Sequence, residues 1–525
     1  MIRSVRFIVA VLAALPLCAP PVLAQLVNRP TQPLGPSAYM FAGTGLETGQ
    51  SVSLWTPTSG NAFQASRQAI WTPDYPVWNC RLYYPNWMMR GSTSLSQELD
   101  GVQPITIERD TVQVGGGPAI SVTFGGSLST TIAAGGGIWS DPIPVTFAAR
   151  TKLLNNVATA AQVATNSMFG MFQPNASLGE AFQTSSTSLA SNVATGAVAN
   201  TGSTSLFAYG AAAMACQGYD GRPVALVYGD SIATGTGEPA TFADDRGNRG
   251  WLARGLDLST NGATRFPFAK WAAPSAAARQ VTVASDFTRR FQMIDALPNV
   301  PFTHILSQIG LNDATGSLST WQTRITTALG LLRTKFPQAR IIQFGFTPYT
   351  TADNSAGTTA AGQSFVTSHD WPSGFTQQVQ NALAGLPSPV DQFVFIEDWF
   401  DNTSTRCGAG GGSAGKWRTD QTFSTTLAAS TAANATTISL PLAPEIGAAL
   451  AINAGNTGSA MVTVTNVSGG VGGNFTVTVF PAITSAQTSG ATVREIAAQD
   501  LLHPSSAMAR TAAACFSAIK SSVMR

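Results

Sequence analysis

The chain has 525 residues, 29 basic against 27 acidic, and only 11% of them charged, where an ordinary soluble domain carries about 25%. So sparse and balanced a charge set leaves no basic patch for nucleic acid, while 44% hydrophobic residues with 11 Trp and 27 Phe bury too much apolar area for a disordered polymer. The length calls for more than one domain at roughly 100–200 residues each, and 50 Gly with 30 Pro favour turn-rich β structure in part of it.

Residues 1–24 read as a signal peptide. Arg3 and Arg6 form a basic start, Phe7 to Leu17 is apolar, and Val22-Leu23-Ala24 supplies the small residues a peptidase reads. Pro16, Pro20 and Pro21 break the run, so an exported protein, periplasmic or extracellular, is predicted, with no stable membrane insertion after cleavage. Cleavage leaves 27 charges of each sign and four cysteines, Cys80, Cys216, Cys407 and Cys515. In an oxidising compartment these permit two disulfides in any of three pairings. Their wide spacing is wrong for zinc. With only His304, His369 and His503 besides, neither a metal nor another cofactor is expected.

Residues 25–220 are predicted as a β-rich, sandwich-like domain with a connector. Pro104–Val114, Ile120–Phe124 and Pro142–Phe147 read as strands between glycine runs, and 150–215 has no clear assignment. Trp55, Trp71, Tyr75, Trp78, Tyr83, Tyr84 and Trp87 crowd this region; packed, they form an aromatic core, and exposed, they would stack on sugars. From about 221 to 419 the pattern alternates. Val224–Tyr228, Phe302–Gln308, Ile341–Phe346 and Phe393–Ile396 read as strands, and Trp321–Lys335 as an intervening helix, which predicts a parallel sheet with flanking helices. Alternating runs at Thr436–Leu440, Met461–Thr465 and Phe475–Val479 predict a small inserted β domain at 420–496, and helical spacing returns in 497–525 at Ser505–Ile519.

Three segments carry chemistry. Ser231 in Gly229-Asp230-Ser231 follows a strand, at the edge where open α/β folds place their sites. His503 lies three residues after Asp500, a spacing that lets the carboxylate hold the imidazole as a base for a serine nucleophile. Asn312, in Gly310-Leu311-Asn312-Asp313, follows a second strand and supplies an amide that can donate to an oxyanion. Taken singly, each has a structural role open to it as a helix cap or turn residue. His304, inside a strand, reads as a core histidine, and His369 as a cleft or capping residue. Gly235-Thr236-Gly237 lacks the third glycine and helix start of a dinucleotide fingerprint.

In this order and strand context the three segments resemble the SGNH hydrolases, also called the GDSL esterase/lipase superfamily, over about 222–405 and 497–525. The apolar exported β region followed by such a domain resembles the secreted carbohydrate esterases of that superfamily. The resemblance implies a three-layer α/β/α fold with a parallel sheet. It also implies a serine esterase with Ser231 as nucleophile, His503 as base and acid, Asp500 as its orienter, and the Ser231 N–H with Asn312 as oxyanion donors. One block departs from it. Where the family has a glycine completing the oxyanion hole, this chain reads Ala273-Pro274-Ser275-Ala276, and Ser275 is the candidate for that position; a backbone N–H survives the change, but a side chain narrows the approach. The expected substrates are small-molecule or polysaccharide esters, short-chain acetyl esters on carbohydrate among them. The rivals are a carbohydrate-binding or surface protein with an inactive hydrolase domain, and a lipase or acyltransferase on the same machinery.

Overall fold

A computed structural model describes residues 34–43, 54–55, 62–90, 96–161, 168–169, 171–200, 208–238, 243–259, 264–314, 316–352, 361–366, 369, 374–400, 407, 416–417, 423–454, 456, 459–470, 473–498 and 500–525. The signal-peptide reading of 1–24 lies outside these.

Five strands form the parallel sheet, in the order Phe268–Ala272, Ala225–Gly229, His304–Gln308, Arg340–Phe344, Gln392–Val394. The first four are buried at every position, as strands covered on both faces must be. The chain passes from Ala225–Gly229 to a neighbour on one side and then to His304–Gln308 on the other, so the crevice between the diverging connections opens at the carboxyl ends of these strands. The edge strand Phe268–Ala272 escaped the sequence reading because Lys270 interrupts its apolar run. That lysine is buried, with Nζ donating to the Arg249 carbonyl at 3.2 Å.

Helices cover the sheet. Leu318–Lys335 packs through Trp321, Ile325, Ala328, Leu329 and Leu332, and starts at Ser317, whose side chain accepts from the Thr320 N–H. The last helix, Ser506–Val523, lies against Trp251–Asp257. Trp251 meets Phe344, Trp399, Phe400 and Phe516 edge to face. Buried Lys520 donates to the carbonyls of Gly255, Leu256 and Leu258, satisfying the end of the shorter helix. Among the described residues no helix is long and apolar enough to cross a membrane.

Upstream of this unit lie two larger antiparallel sheets and two two-stranded ones, Leu54–Trp55 with Met168–Phe169 and Trp87–Met89 with Glu98–Asp100. One of the larger sheets runs Met40–Phe41, Ala213–Gln217, Trp78–Pro85, Gly137–Trp139; the other runs Ala181–Ser185, Phe63–Trp71, Lys152–Ala160, Ile105–Val114, extended by Ile120–Ser121 and Thr130–Ile132. Lys152–Ala160 was illegible because Asn155 and Asn156 stand mid-strand. Both are buried and hydrogen-bonded, and Asn155 joins Asp110 and Tyr84 in a network between the sheets. Pro142–Phe147 is a correction: only Ile143 and Phe147 make isolated bridges, since Pro142 and Pro144 have no N–H to donate. Ile120–Phe124 is likewise shorter than read, with ladder pairing only at Ile120 and Ser121. Of the crowded aromatics, Tyr75, Tyr83, Tyr84 and Trp87 are buried, while Trp71 and Trp78 are half-buried; the side chain of Trp55 lies outside the described residues.

Between the parallel sheet and the last helix, six strands within Ser424–Ile496 form an antiparallel sheet with its own apolar core around Ile438, Leu450, Val462 and Val477. It rests on the start of the last helix, where the Gly447 carbonyl accepts from the Ala507 N–H at 3.3 Å.

Disulfides join Cys80 to Cys216 and Cys407 to Cys515. The second spans 108 positions and encloses the whole antiparallel sheet together with Asp500 and His503. Replacing Cys407 and Cys515 by serine should lower stability by about 2–5 kcal/mol, read by calorimetry, because the unfolded chain regains loop entropy; an unchanged melting temperature would contradict this.

Candidate active site

Gly229 ends the strand Ala225–Gly229 and Asp230 caps the single helical turn Ser231–Thr234, its carboxylate accepting from the Ile232 N–H at 2.9 Å. A side chain at Gly229 would collide with Ala233, since an added Cβ stands 2.5 Å from the Ala233 Cβ. The turn thus follows the strand directly and holds Ser231 at the sheet edge. The Ser231 N–H, first in its helix, donates to no group among the described residues.

The turn Leu311–Asp313 follows His304–Gln308 on the adjacent strand. It is entered through Gly310 at φ +129°, where an added Cβ would stand 2.5 Å from the Ile325 side chain. Asn312 Nδ2 donates to the Ala276 carbonyl at 2.9 Å, which leaves the second amide hydrogen for a ligand. Asp313 accepts from the Ala278 N–H at 2.7 Å and the Arg279 N–H at 2.9 Å, and the Arg279 guanidinium donates to the Asn312 carbonyl. Burial pushes the Asp313 carboxyl above the usual range, opposed by these N–H groups and by Arg279.

Ser275 lies in the connection that leaves Phe268–Ala272, on the side of Ala225–Gly229 away from His304–Gln308. Its φ is +60°, a left-handed conformation that explains why a glycine is the common residue there. Its side chain is exposed, and its N–H donates to no group among the described residues. Ser231, Ser275 and Asn312 therefore leave the carboxyl ends of three adjacent parallel strands, where Gly229 is in register with Ala272 and with Gln308.

The fourth element is the loop before the last helix. Asp500 Oδ2 lies 2.6 Å from His503 Nδ1, while Asp500 Oδ1 accepts from the N–H groups of Leu502 at 3.0 Å and His503 at 2.7 Å. Burial raises the Asp500 carboxyl, but the His503 hydrogen bond and charge with the two N–H groups outweigh it, so the acid is held below the ordinary carboxylate range. An acceptor at Nδ1 fixes the tautomer with its proton there, leaving Nε2 basic. His503 Nε2 is shielded from solvent and has no hydrogen-bond partner among the described residues, so Ser231 Oγ is not hydrogen-bonded to it; such contacts commonly tighten only with substrate. Leu501, at φ +58°, anchors the loop, its carbonyl accepting from Trp417 Nε1 at 2.8 Å and the Thr350 N–H at 3.1 Å. The loop lies beside the segment following Ser231: an added Cβ at Gly237 would stand 3.5 Å from the His503 Cβ. Asp230, fully buried nearby, is pushed up to about 7 by desolvation, against its Ile232 hydrogen bond and the charge of His503.

The other histidines are elsewhere. His304 opens its strand at the opposite end of the sheet, pairs with Thr303 through Nδ1 at 2.7 Å, and is driven down to about 3 by burial and by Arg340. His369 is packed against Trp321 and Tyr349, with Nε2 donating to the Leu311 carbonyl at 3.0 Å. Sequence reasoning missed Met461 and Thr463 from the antiparallel sheet. With Gly237, Asp500, His503 and Pro504 they line a cavity of about 350 Å³. Only the position of this sheet immediately before Asp500 in the chain hinted at it.

Residues 227–396 match the profile of the GDSL-like Lipase/Acylhydrolase family. No curated protein sequence matches the chain. Among solved structures, a family two carbohydrate esterase from Clostridium thermocellum in complex with cellohexaose is 11% identical, with 73% of this chain and 93% of that one covered at a TM-score of 0.26. A possible lipase from Chitinophaga pinensis is 12% identical, with 58% and 100% covered at a TM-score of 0.27. The salicylyl-acyltransferase SsfX3 from a tetracycline biosynthetic pathway is 12% identical, with 74% and 92% covered at 0.24. The strand-end serine and asparagine both fall inside the matched segment, and this part of the chain is a GDSL-like acylhydrolase domain of the SGNH hydrolase superfamily.

Proposed function

We propose that the protein is an exported serine esterase acting on short-chain, acetyl and carbohydrate-linked esters. The observation that carries the reading is the His503–Asp500 pair at 2.6 Å, with Nε2 unpartnered among the described residues, beside the strand end that bears Ser231. Ser231 Oγ attacks the ester carbonyl as its proton passes to His503 Nε2, with Asp500 stabilising the imidazolium. The oxyanion so formed accepts from the N–H groups of Ser231 and Ser275 and from Asn312 Nδ2. His503 then protonates the departing alcohol, leaving an acyl-serine. Water, deprotonated by the same imidazole, cleaves the acyl group and restores Ser231.

The two larger upstream sheets fit a β-sandwich-like domain, and the antiparallel sheet fits a β domain inserted at 420–496 on the rim of the cleft. Met461 and Thr463 support this rim role, since they face His503 across the cavity. A mixed apolar and hydroxyl lining of that size suits one sugar ring of the alcohol portion.

The mature protein should hydrolyse a short-chain chromogenic acetate, and Ser231→Ala should lower turnover by at least about 10³-fold without loss of fold. A Ser231→Ala variant near wild-type turnover would overturn the assignment. His503→Ala should do the same, whereas His304→Ala should act on the melting temperature and leave kcat within about twofold, because this histidine is buried at the far edge. Asp500, held below the ordinary carboxylate range, should stay ionised through neutrality, so a profile of turnover against pH should show no limb from its protonation there. Met461→Trp fills the rim cavity and should raise KM for an acetylated oligosaccharide about tenfold while sparing the small acetate; equal effects on both substrates would place the cavity outside the alcohol subsite.

A further inference from the structure

We propose that Gln97, in the upstream β region, is a positioning residue for the oxyanion loop; this rests on the esterase reading above. Gln97 is fully buried and stands just before Glu98–Asp100, a strand that hairpins with Trp87–Met89. Its Nε2 donates to the Ala277 carbonyl at 2.9 Å. Its Oε1 accepts from Arg290 Nη1 at 3.0 Å and from the Tyr228 hydroxyl at 3.4 Å.

Each partner bears on the site. Tyr228 is the residue before Gly229 on the strand that carries Ser231. Ala277 follows Ser275 by two residues, and the intervening Ala276 carbonyl accepts from Asn312. Successive carbonyls of this loop are thus gripped from opposite sides, Ala276 by the side chain that itself faces the oxyanion and Ala277 by Gln97. Between Pro274 and these two grips, Ser275 has the left-handed backbone that a side chain disfavours. A loop holding a non-glycine residue there needs its neighbours fixed. Arg290 and Glu98 brace the same contact: Glu98 accepts from Arg290 Nε at 2.8 Å and from the Arg289 and Arg290 N–H groups at the start of Thr288–Asp295. The upstream region thereby reaches under the catalytic unit and sets the direction of the Ser275 N–H without touching substrate.

The test compares Gln97→Met, which removes both hydrogen-bonding functions at similar volume, with Gln97→Glu, which keeps an acceptor for Arg290 and turns a carboxylate oxygen toward the Ala277 carbonyl in place of the donor. Active sites are titrated with a serine-directed phosphonate, and kcat and KM for a short-chain acetate are taken per titrated site, alongside melting temperature. A positioning role predicts kcat lower by about 10- to 100-fold in both variants, with KM within about twofold and phosphonylation slowed in parallel, because the phosphoryl oxygen uses the same donors. A role in stability alone predicts a lower melting temperature with wild-type kcat per titrated site, and that result overturns the proposal. If Gln97→Met does not fold, Gln97→Glu decides alone. A wild-type protein without ester turnover overturns the esterase reading and this inference together, whereas wild-type turnover with unaffected variants overturns this inference only.

Discussion

Gly229 faces Ala272 on one side and Gln308 on the other, and this parallel register decides where the chain can gather reactive groups. Parallel strands point their carboxyl ends the same way, so the segments leaving three neighbours emerge within a strand spacing or two of one another. Ser231, Ser275 and Asn312 are each the second to fourth residue beyond such an end. The Asp500–His503 pair follows no strand of this sheet. It lies in the loop before the last helix, so its location depends on how firmly that helix is held.

The helix is held by an apolar and a polar device together. Phe516 packs against Trp251 and Phe344, joining the last helix to both the preceding helix layer and the sheet. Lys520 then ties the same pair of helices through three carbonyls, an arrangement that burial makes costly unless every donor is used. Desolvation pulls this amine down to about 7, against the charge of Asp257.

Much of the hydrolase unit was legible because its chemistry is local. Four of five parallel strands announced themselves as continuous apolar runs, and Ser231, Asn312 and His503 sit in short motifs at strand ends or beside a helix start. Illegible parts share a different cause: polar residues placed inside. Lys270 concealed an edge strand and Asn155 with Asn156 a central one, since a sequence pattern cannot reveal that a polar group has found a buried partner. Pro142 and Pro144 misled in the opposite direction, with β-like alternation around residues unable to complete a ladder. Ser275 was recognisable as the departure from glycine, but its left-handed backbone and unbonded N–H are properties of the folded loop. Gln97 gave no signal because its relevance arises across more than 150 positions of chain from the loop it adjoins, whereas for Met461 only the place of its sheet just before Asp500 pointed to the site.

The bridge between Cys407 and Cys515 makes a covalent ring of the segment that contains both the antiparallel sheet and His503. A single backbone cut within that ring opens it without releasing anything. The severed terminal helix stays tethered near its groove at a high effective concentration, and rebinding remains an intramolecular event. Such a ring converts a nick in an exposed β turn from loss of His503 into a local break that the rest of the fold can hold closed.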